Sequence, residues 1–134
     1  SYTDMPINHK IFLAQFDTIR KIADEGPCIL VGRCADYALE EYSNVLSVFI
    51  HADMDARIRR IARIYDLTDA KAKELIKKTD KRRSSYYNYY SNKKWGAAES
   101  YNICLDSSIL GIDGTAEAIE QLVALRESIT DPKL

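Results

Sequence analysis

Three short apolar runs constrain the fold of this chain more than any other sequence feature. They are Cys28–Val31, Val45–Ile50 and Tyr101–Asp106, and segments with helical periodicity separate them. The first two runs lack the alternation of a half-exposed strand and are too short for ordinary helices, which is typical of strands buried in a parallel sheet. A length of 134 residues favours one domain. The sequence therefore predicts a single α/β domain over residues 1–134, with a parallel sheet and flanking helices.

Local capping signals predict where the helices begin and end. Short polar side chains favour helix starts, and a glycine past a helix end followed by proline favours a stop. The apolar spacing from Ile11 to Ala23 and from Ile119 to Ile129 is helical. We expect helix starts at Asn8, Asp53, Thr68 and about Thr115, stops at Gly26-Pro27 and Asp131-Pro132, and a short helix over residues 34–42.

The net charge of −1 conceals a strong segregation of charge along the chain. From Arg57 to Lys94 there are 13 Lys or Arg residues against 4 Asp or Glu, and the remaining residues are correspondingly acidic. A local positive field of this kind favours polyanionic ligands, either nucleotide phosphates or nucleic acid. Charge alone does not decide between these two classes.

The stretch from Lys77 to Trp95 combines cations with paired tyrosines. If it is helical, Asp80, Arg83 and Tyr87 lie on one face, because positions three and four apart are neighbours. A carboxylate can orient a neighbouring guanidinium, whose fork then suits a phosphate or a planar polar base. The alternative is a solvated charged helix whose tyrosines pack on the domain.

Further arginines lie outside this stretch. Arg33 directly follows the first predicted strand, and ligands of parallel sheets bind outside the carboxyl ends of the strands. The alternative for Arg33 is a loop arginine paired with Asp36 or Glu40. Arg57 and Arg60 lie three residues apart, off the apolar stripe of their helix, and so form a cationic face. We expect the helical segment from about residue 53 to 95 to pack little and to act as a lid over a ligand.

The cysteines and the hydropathy pattern indicate in which cellular compartment the protein is expected. Cys28, Cys34 and Cys104 are odd in number and lack C-x-x-C spacing, and Cys28 and Cys104 lie in apolar runs. Reduced, buried thiols are therefore favoured, and a metal site is not expected. No run has the length of a membrane span, and no targeting signal opens the chain. We expect a cytoplasmic protein without membrane contact.

Several of these segments together resemble the cytidylate kinase-like branch of the P-loop nucleoside monophosphate kinases. The segments that carry the resemblance are Val31-Gly32-Arg33-Cys34-Ala35-Asp36-Tyr37, Val48-Phe49-Ile50-His51-Ala52, Thr79 to Gly96 and Leu105-Asp106-Ser107-Ser108. The resemblance implies the C-terminal part of a three-layer α/β/α kinase domain with a helical lid. It also implies phosphoryl transfer from ATP, with Mg²⁺, to a nucleoside monophosphate such as CMP.

The resemblance also implies roles for individual residues. Arg33, with Asp36, would hold the acceptor nucleotide. Arg57 and Arg60 would close on the phosphates of the donor and of the transferring group. Asp80 and Arg83 would contact the acceptor and align the phosphates, with Arg83 also acting in catalysis. Tyr87 is added as a substrate-binding residue from its place on the helix face.

The chain departs from the family pattern in one respect. It contains no G-x-x-x-x-G-K-[ST] loop, so we expect these residues to be inactive alone and to belong to a longer protein. The implied strand order is 2-3-1-4-5, and the absent central strand would leave a gap between Cys28–Val31 and Val45–Ile50. If no such strand exists, another copy of the chain or a rearranged sheet must fill that gap, and a homo-oligomer is one outcome.

A different function remains open for the same sequence. In a nucleic-acid-binding or regulatory module, the cations would neutralise backbone phosphates while aromatic rings stack on bases. The rings available for this are Tyr86, Tyr87, Tyr89, Tyr90 and Trp95. Arg33 distinguishes the two functions, because a kinase needs it near the cations of the lid and a nucleic-acid-binding segment does not. We do not expect nucleic acid as the partner.

Overall fold

The computed structural model describes residues 5–129, with side chains from His9 onwards. The fold is mixed α/β, with a small parallel sheet and flanking helices. The helices are α1 (Met5–Glu25), α2 (Ala35–Ala38), α3 (Met54–Tyr65), α4 (Asp69–Ser91) and α5 (Ser107–Ser128), and the strands are β1 (Val48–His51) and β2 (Ile103–Asp106). A single turn of 3₁₀-helix, Ala98–Ser100, precedes β2.

The described chain divides into two compact units. The first unit contains the described residues up to Val45 together with Ser85–Trp95, and the second contains Leu46–Ser84 together with the described residues from Gly96 onwards. The larger, N-terminal part of α4, up to Ser84, therefore belongs to the second unit, and its tyrosine-bearing end belongs to the first. The lid segment from about residue 53 to 95 stays a prediction.

The sheet confirms two of the three predicted strands. β1 and β2 pair in parallel, from Val48 opposite Ile103 to His51 opposite Asp106. The backbone amide of Ser47 donates to the side-chain oxygen of Asn102 over 2.8 Å, and the amide of Asn102 donates to the Ser47 hydroxyl over 2.9 Å. These reciprocal bonds fix the register where the strands begin.

The prediction of a strand at Cys28–Val31 is wrong. Cys28–Val31 has no regular secondary structure, and the side chains of Ile29 and Val31 are 93% and 89% exposed. A strand needs a neighbour to satisfy its backbone groups, and no described strand pairs with this segment. Apolar composition can indicate strand propensity, but a strand forms only where another strand is present to pair with it.

In the first unit, α1 begins at Met5 rather than at the predicted Asn8. Proline is tolerated in the first turn of a helix, so Pro6 does not prevent the earlier start. Phe12 and Ile19 are buried as expected, whereas Ile11 and Ile22 are largely exposed. Ile19 packs with Ala38 and Leu39 in the core of this unit. The short helix predicted over residues 34–42 is limited to Ala35–Ala38.

Two predicted helix caps in the second unit are confirmed. The Asp53 carboxylate accepts a hydrogen bond from the Ala56 amide over 2.8 Å at the start of α3. The Thr68 hydroxyl accepts from the Lys71 amide over 3.2 Å at the start of α4. Between the two helices, Asp66 has the left-handed conformation that ends α3, with φ 53°. These caps determine where the arginines of α3 and the charged face of α4 begin.

The last helix starts earlier than predicted. α5 begins at Ser107, capped by the Asp106 carboxylate, and is interrupted at Gly111, whose φ of 72° is not helical. A glycine permits this break at little cost because it has no Cβ. The predicted stop at Asp131-Pro132 lies outside the described residues.

The cysteines are distributed differently from the prediction. Cys28 is exposed because its segment has no covering strand, Cys104 is half-buried, and Cys34 is the buried thiol. None of the described helices is long and apolar enough to cross a membrane.

Candidate functional site

An arginine cluster, which we define as Arg57, Asp80 and Arg83, lies in the second unit. Arg57 Nη2 donates to both carboxylate oxygens of Asp80, over 2.8 and 2.7 Å. Arg83 Nη2 donates to Asp80 Oδ1 over 2.5 Å. One carboxylate thus holds a guanidinium from α3 and another from its own helix α4, and the three side chains keep one net positive charge.

The electrostatics of Asp80 follow from these contacts. Partial burial by itself raises the pKa of Asp80, but the hydrogen bonds from Arg83 and Arg57 and the charges of both arginines outweigh it. The net result is a pKa below the usual value of an aspartate. Asp80 is therefore ionised throughout the neutral range and keeps both guanidinium groups in place.

The members of the arginine cluster differ in how far their side chains are exposed to solvent. The side chains of Asp80 and Arg57 are 21% and 28% exposed, whereas that of Arg83 is 55% exposed. Arg83 is thus oriented from one side by Asp80 and open to solvent over half of its surface. Such an arrangement suits an anion, because a fixed guanidinium can form charge-assisted hydrogen bonds with phosphate oxygens.

Arg60 lies one turn beyond Arg57 on α3 and is exposed. It forms no ion pair with any residue in the described part of the chain. The predicted cationic face of α3 is therefore present, but Asp80 orients only its Arg57 member. The role of Arg60 at the donor phosphates stays a prediction.

The first unit contains the second group of predicted site residues, around a turn formed by Gly32, Arg33 and Cys34. We call it the Gly–Arg turn. All three residues have positive φ, at 68°, 58° and 55°. The left-handed conformation costs about 1–2 kcal/mol for each residue other than glycine. Backbone strain of this kind occurs where surrounding contacts hold a functional segment in place.

Arg33 itself is exposed, and a ring rather than a carboxylate contacts it. Its guanidinium carbon lies 6.0 Å from the centroid of the Tyr86 ring, within the range of a cation–π interaction. Tyr86 is in turn held by its hydroxyl, which donates to Gln15 of α1 over 3.2 Å. Arg33 forms no ion pair with a described residue, and Glu40 instead lies 3.9 Å from Lys93. The alternative pairing of Arg33 with Asp36 or Glu40 is therefore wrong.

Asp36 and Tyr87 meet directly in the first unit. The buried Tyr87 donates its hydroxyl hydrogen to Asp36 Oδ2 over 2.6 Å. The other carboxylate oxygen of Asp36 accepts from the Tyr37 amide over 2.9 Å. Sequence reasoning placed both residues in the site but did not anticipate this contact, since they are 51 positions apart.

The tyrosines of α4 pack against α1. The ring centroids of Tyr90 and Phe12 are 4.1 Å apart, and those of Tyr86 and Tyr90 are 4.9 Å apart. The Tyr90 hydroxyl is buried without a hydrogen-bond partner among the described residues. Of the paired tyrosines, Tyr89 is the one that is largely exposed, at 59%. Stacking on bases requires exposed ring faces, so this packing disfavours the nucleic-acid alternative.

Positive charge is the property that the two groups of residues have in common. The arginine cluster offers excess positive charge for phosphate oxygens, and Arg33 offers a second, separately held guanidinium. The described residues contain no group of three or more His, Cys, Asp or Glu side chains that could hold a metal ion. Mg²⁺ does not require such a group, because it binds mainly through water and substrate phosphates.

Comparison with known proteins identifies the class. Residues 1–109 match the cytidylate kinase-like family, and these residues contain both the arginine cluster and the Gly–Arg turn. The chain therefore belongs to the cytidylate kinase-like family, which confirms the resemblance inferred from its motifs.

One solved structure extends this comparison to the fold. The chain is similar to an uncharacterized protein from Eubacterium ventriosum ATCC 27560, whose crystal structure matches with a TM-score of 0.79 and 31% sequence identity. The match covers 91% of this chain and 75% of that one. No curated protein gives a significant match.

Proposed function

We propose that this chain is part of a nucleoside monophosphate kinase that transfers the terminal phosphoryl group of ATP to a nucleoside monophosphate. CMP is the acceptor that the family membership favours. The single observation that supports this most strongly is the arginine cluster, in which one ionised carboxylate orients two guanidinium groups. We further propose a cytoplasmic enzyme whose sheet belongs to a three-layer α/β/α arrangement of the P-loop kinase type.

The chemistry of this reaction explains why residues of this kind are useful. The bond between the terminal phosphorus of ATP and its bridging oxygen breaks while a bond to a phosphate oxygen of the acceptor forms, which gives ADP and a nucleoside diphosphate. The acceptor phosphate oxygen needs little activation, so catalysis depends on positioning and on cations that neutralise charge. ATP would supply the phosphoryl group, and Mg²⁺ would neutralise charge on its phosphates.

The proposal gives each residue a part in that task. Arg83, oriented by Asp80 and exposed over half its surface, meets charge on the transferring group. Arg57 keeps Asp80 in place, and it binds phosphate together with Arg60. Arg33 holds the phosphate of the acceptor.

Transfer is assigned to the whole protein rather than to these residues alone. A G-x-x-x-x-G-K-[ST] loop for the donor phosphates does not occur among the 134 residues. Our proposal therefore requires that loop, or an equivalent phosphate-binding element, from elsewhere in the functional enzyme.

The test is a survey of acceptors with the full-length protein. Each of the common ribo- and deoxyribonucleoside monophosphates is incubated with ATP and Mg²⁺, and the formation of diphosphate is followed by chromatography. We expect transfer to at least one monophosphate, with a preference for a cytosine base. Protein that binds ATP yet phosphorylates none of them would contradict the proposed reaction.

A further inference from the structure

Both oxygens of the Asp36 carboxylate are used inside the protein. One accepts the Tyr37 amide over 2.9 Å, and the other accepts the hydroxyl of Tyr87 over 2.6 Å. Tyr87 is only 7% exposed, so packing restrains the side chain whose hydroxyl donates to Asp36. The predicted roles of Asp36 and Tyr87 in substrate binding stay predictions.

The same contact lies beside the strained backbone of the Gly–Arg turn. Cys34, the last residue of that turn, precedes α2, and Asp36 lies in the first turn of this helix. Gly32 accepts a backbone hydrogen bond from Ala35 over 3.1 Å, which closes the loop. Arg33 and Cys34 are not glycines, so the left-handed conformation is unfavourable for both. Contacts from outside the turn are therefore needed to keep it in this conformation.

Adjacent tyrosines of α4 contact the turn and the helix that follows it. Tyr86 places its ring against the Arg33 guanidinium, and Tyr87 bonds to Asp36. The Tyr86 ring is anchored independently of the turn, since its hydroxyl donates to Gln15 on α1. The turn and the helix that follows it thus contact two side chains of one helix.

We propose that Tyr87 is a positioning residue, which holds the Gly–Arg turn through Asp36 and thereby fixes where Arg33 is presented. Tyr86 completes this arrangement by orienting the guanidinium. The inference rests on the proposed function for its effect on substrate, since Arg33 is there assigned to the acceptor phosphate. The effect on the turn itself does not depend on any substrate.

The reactivity of the Cys34 thiol reports whether this turn is open, and measuring it does not require enzymatic activity. Its side chain is 4% exposed, while Cys28 is exposed and Cys104 is half-buried in the second unit. Burial, reinforced by the charge of Asp36 and opposed by that of Arg33, raises the pKa of the Cys34 thiol to about 11. Alkylation of Cys34 under native conditions therefore requires the turn to open.

The experiment measures alkylation of each cysteine by iodoacetamide, resolved by mass spectrometry, in the full-length protein. Tyr87→Phe removes only the hydroxyl, and we expect Cys34 to react about tenfold faster, as the loss of one buried hydrogen bond allows. Cys28 should react as before, which controls for the reagent. An unchanged rate at Cys104 would exclude general unfolding as the cause.

Tyr89→Phe is the matched control, because Tyr89 lies two residues further along α4 and is 59% exposed. It should leave the Cys34 rate unchanged. Asp36→Ala should also speed the alkylation of Cys34, and Tyr87→Phe should add little to it in the double variant, since the bond between the two residues is already lost.

Kinetics then link the turn to the acceptor. Tyr87→Phe should raise the KM for the nucleoside monophosphate by about tenfold while the KM for ATP changes less than twofold. Unchanged Cys34 alkylation in both Tyr87→Phe and Asp36→Ala would overturn the inference, and so would faster alkylation with no change in the acceptor KM. If wild-type protein phosphorylates no monophosphate, the proposed function fails, but the alkylation rates still decide whether Tyr87 holds the turn.

Discussion

The arginine cluster and the Gly–Arg turn hold their arginines in different ways. In the arginine cluster, an ionised carboxylate with lowered pKa fixes two guanidinium groups by charge-assisted hydrogen bonds. In the Gly–Arg turn, a strained backbone presents Arg33 and a tyrosine ring lies beside it, with no carboxylate paired to it among the described residues. Orientation by Asp80 offsets part of the positive charge, whereas orientation by a ring leaves the charge of Arg33 whole.

This difference matches what the two regions would do in a kinase. An arginine that meets charge developing during transfer benefits from being fixed beforehand, because preorganised donors cost no rearrangement in the transition state. An arginine that captures a dianionic acceptor benefits more from its full charge. The comparison therefore predicts that substitutions in the two regions differ in the kinetic parameter that they change.

The largest effect on the KM for the acceptor should come from removing Arg33. We expect Arg33→Ala to reduce kcat/KM for the acceptor by about 100- to 1000-fold, because one well-placed charged donor contributes about 3–4 kcal/mol. Much of the loss should lie in the KM for the monophosphate, as judged by steady-state kinetics at saturating ATP. Arg20→Ala is the control, since Arg20 lies on α1 against the rings of Phe16 and Tyr42. An equal loss in both variants would contradict a specific role for Arg33.

A smaller effect should come from separating Arg57 and Asp80. Their side chains are 28% and 21% exposed, and one nitrogen contacts both oxygens, so we expect a coupling of about 1 kcal/mol. A double-mutant cycle with Arg57→Ala and Asp80→Asn, followed by urea unfolding, measures this coupling. The exposed Arg59 on the same helix is the control, and its replacement by alanine should show no coupling with Asp80.

The same pair should show a defined pH dependence. Because the pKa of Asp80 is lower in the folded state, its contribution to stability is complete above the unfolded value of about 3.9 and is lost as the pH falls through the folded pKa. The difference in unfolding free energy between wild type and Asp80→Asn should thus be constant above about pH 5 and shrink towards pH 2. A difference that grows on acidification would have the wrong sign for a carboxylate held by arginines.

The smallest effect on folding should come from the apolar run before the Gly–Arg turn. Val31 is 89% exposed, so Val31→Lys should change the unfolding free energy by less than about 0.5 kcal/mol. An uncovered apolar run also favours self-association. Val31→Lys should weaken this association, as measured by sedimentation velocity. Asn44→Lys, at another exposed position, is the control for charge. A large loss of stability in Val31→Lys would show that another strand covers this segment.

How much could be predicted from the sequence depended on how local each feature is. The caps at Asp53 and Thr68, and the contact of Asp80 with Arg83, each join groups of residues three positions apart, and all are present in the structure. The strand at Cys28–Val31 was predicted wrongly because pairing depends on a neighbour that no local pattern reveals. For the same reason Cys28 is exposed rather than buried.

The candidate site shows the same limit. Arg57 with Asp80, and Asp36 with Tyr87, are 23 and 51 positions apart. The sequence nominated all four residues from family resemblance and helix geometry, but only the fold shows which of them meet. The positive φ values of Arg33 and Cys34 had no sequence signal, because neither residue type favours the left-handed conformation.

The central claim, that α4 carries an arginine oriented for phosphoryl transfer, is tested most directly by a matched pair of variants. Arg83→Ala and Arg82→Ala remove the same charge from adjacent exposed positions of α4, but only Arg83 contacts Asp80. With full-length protein, ATP and the best acceptor monophosphate, we expect turnover to fall about 100- to 1000-fold in Arg83→Ala and less than about threefold in Arg82→Ala. Normal turnover in Arg83→Ala, or equal losses in the two variants, would contradict the account.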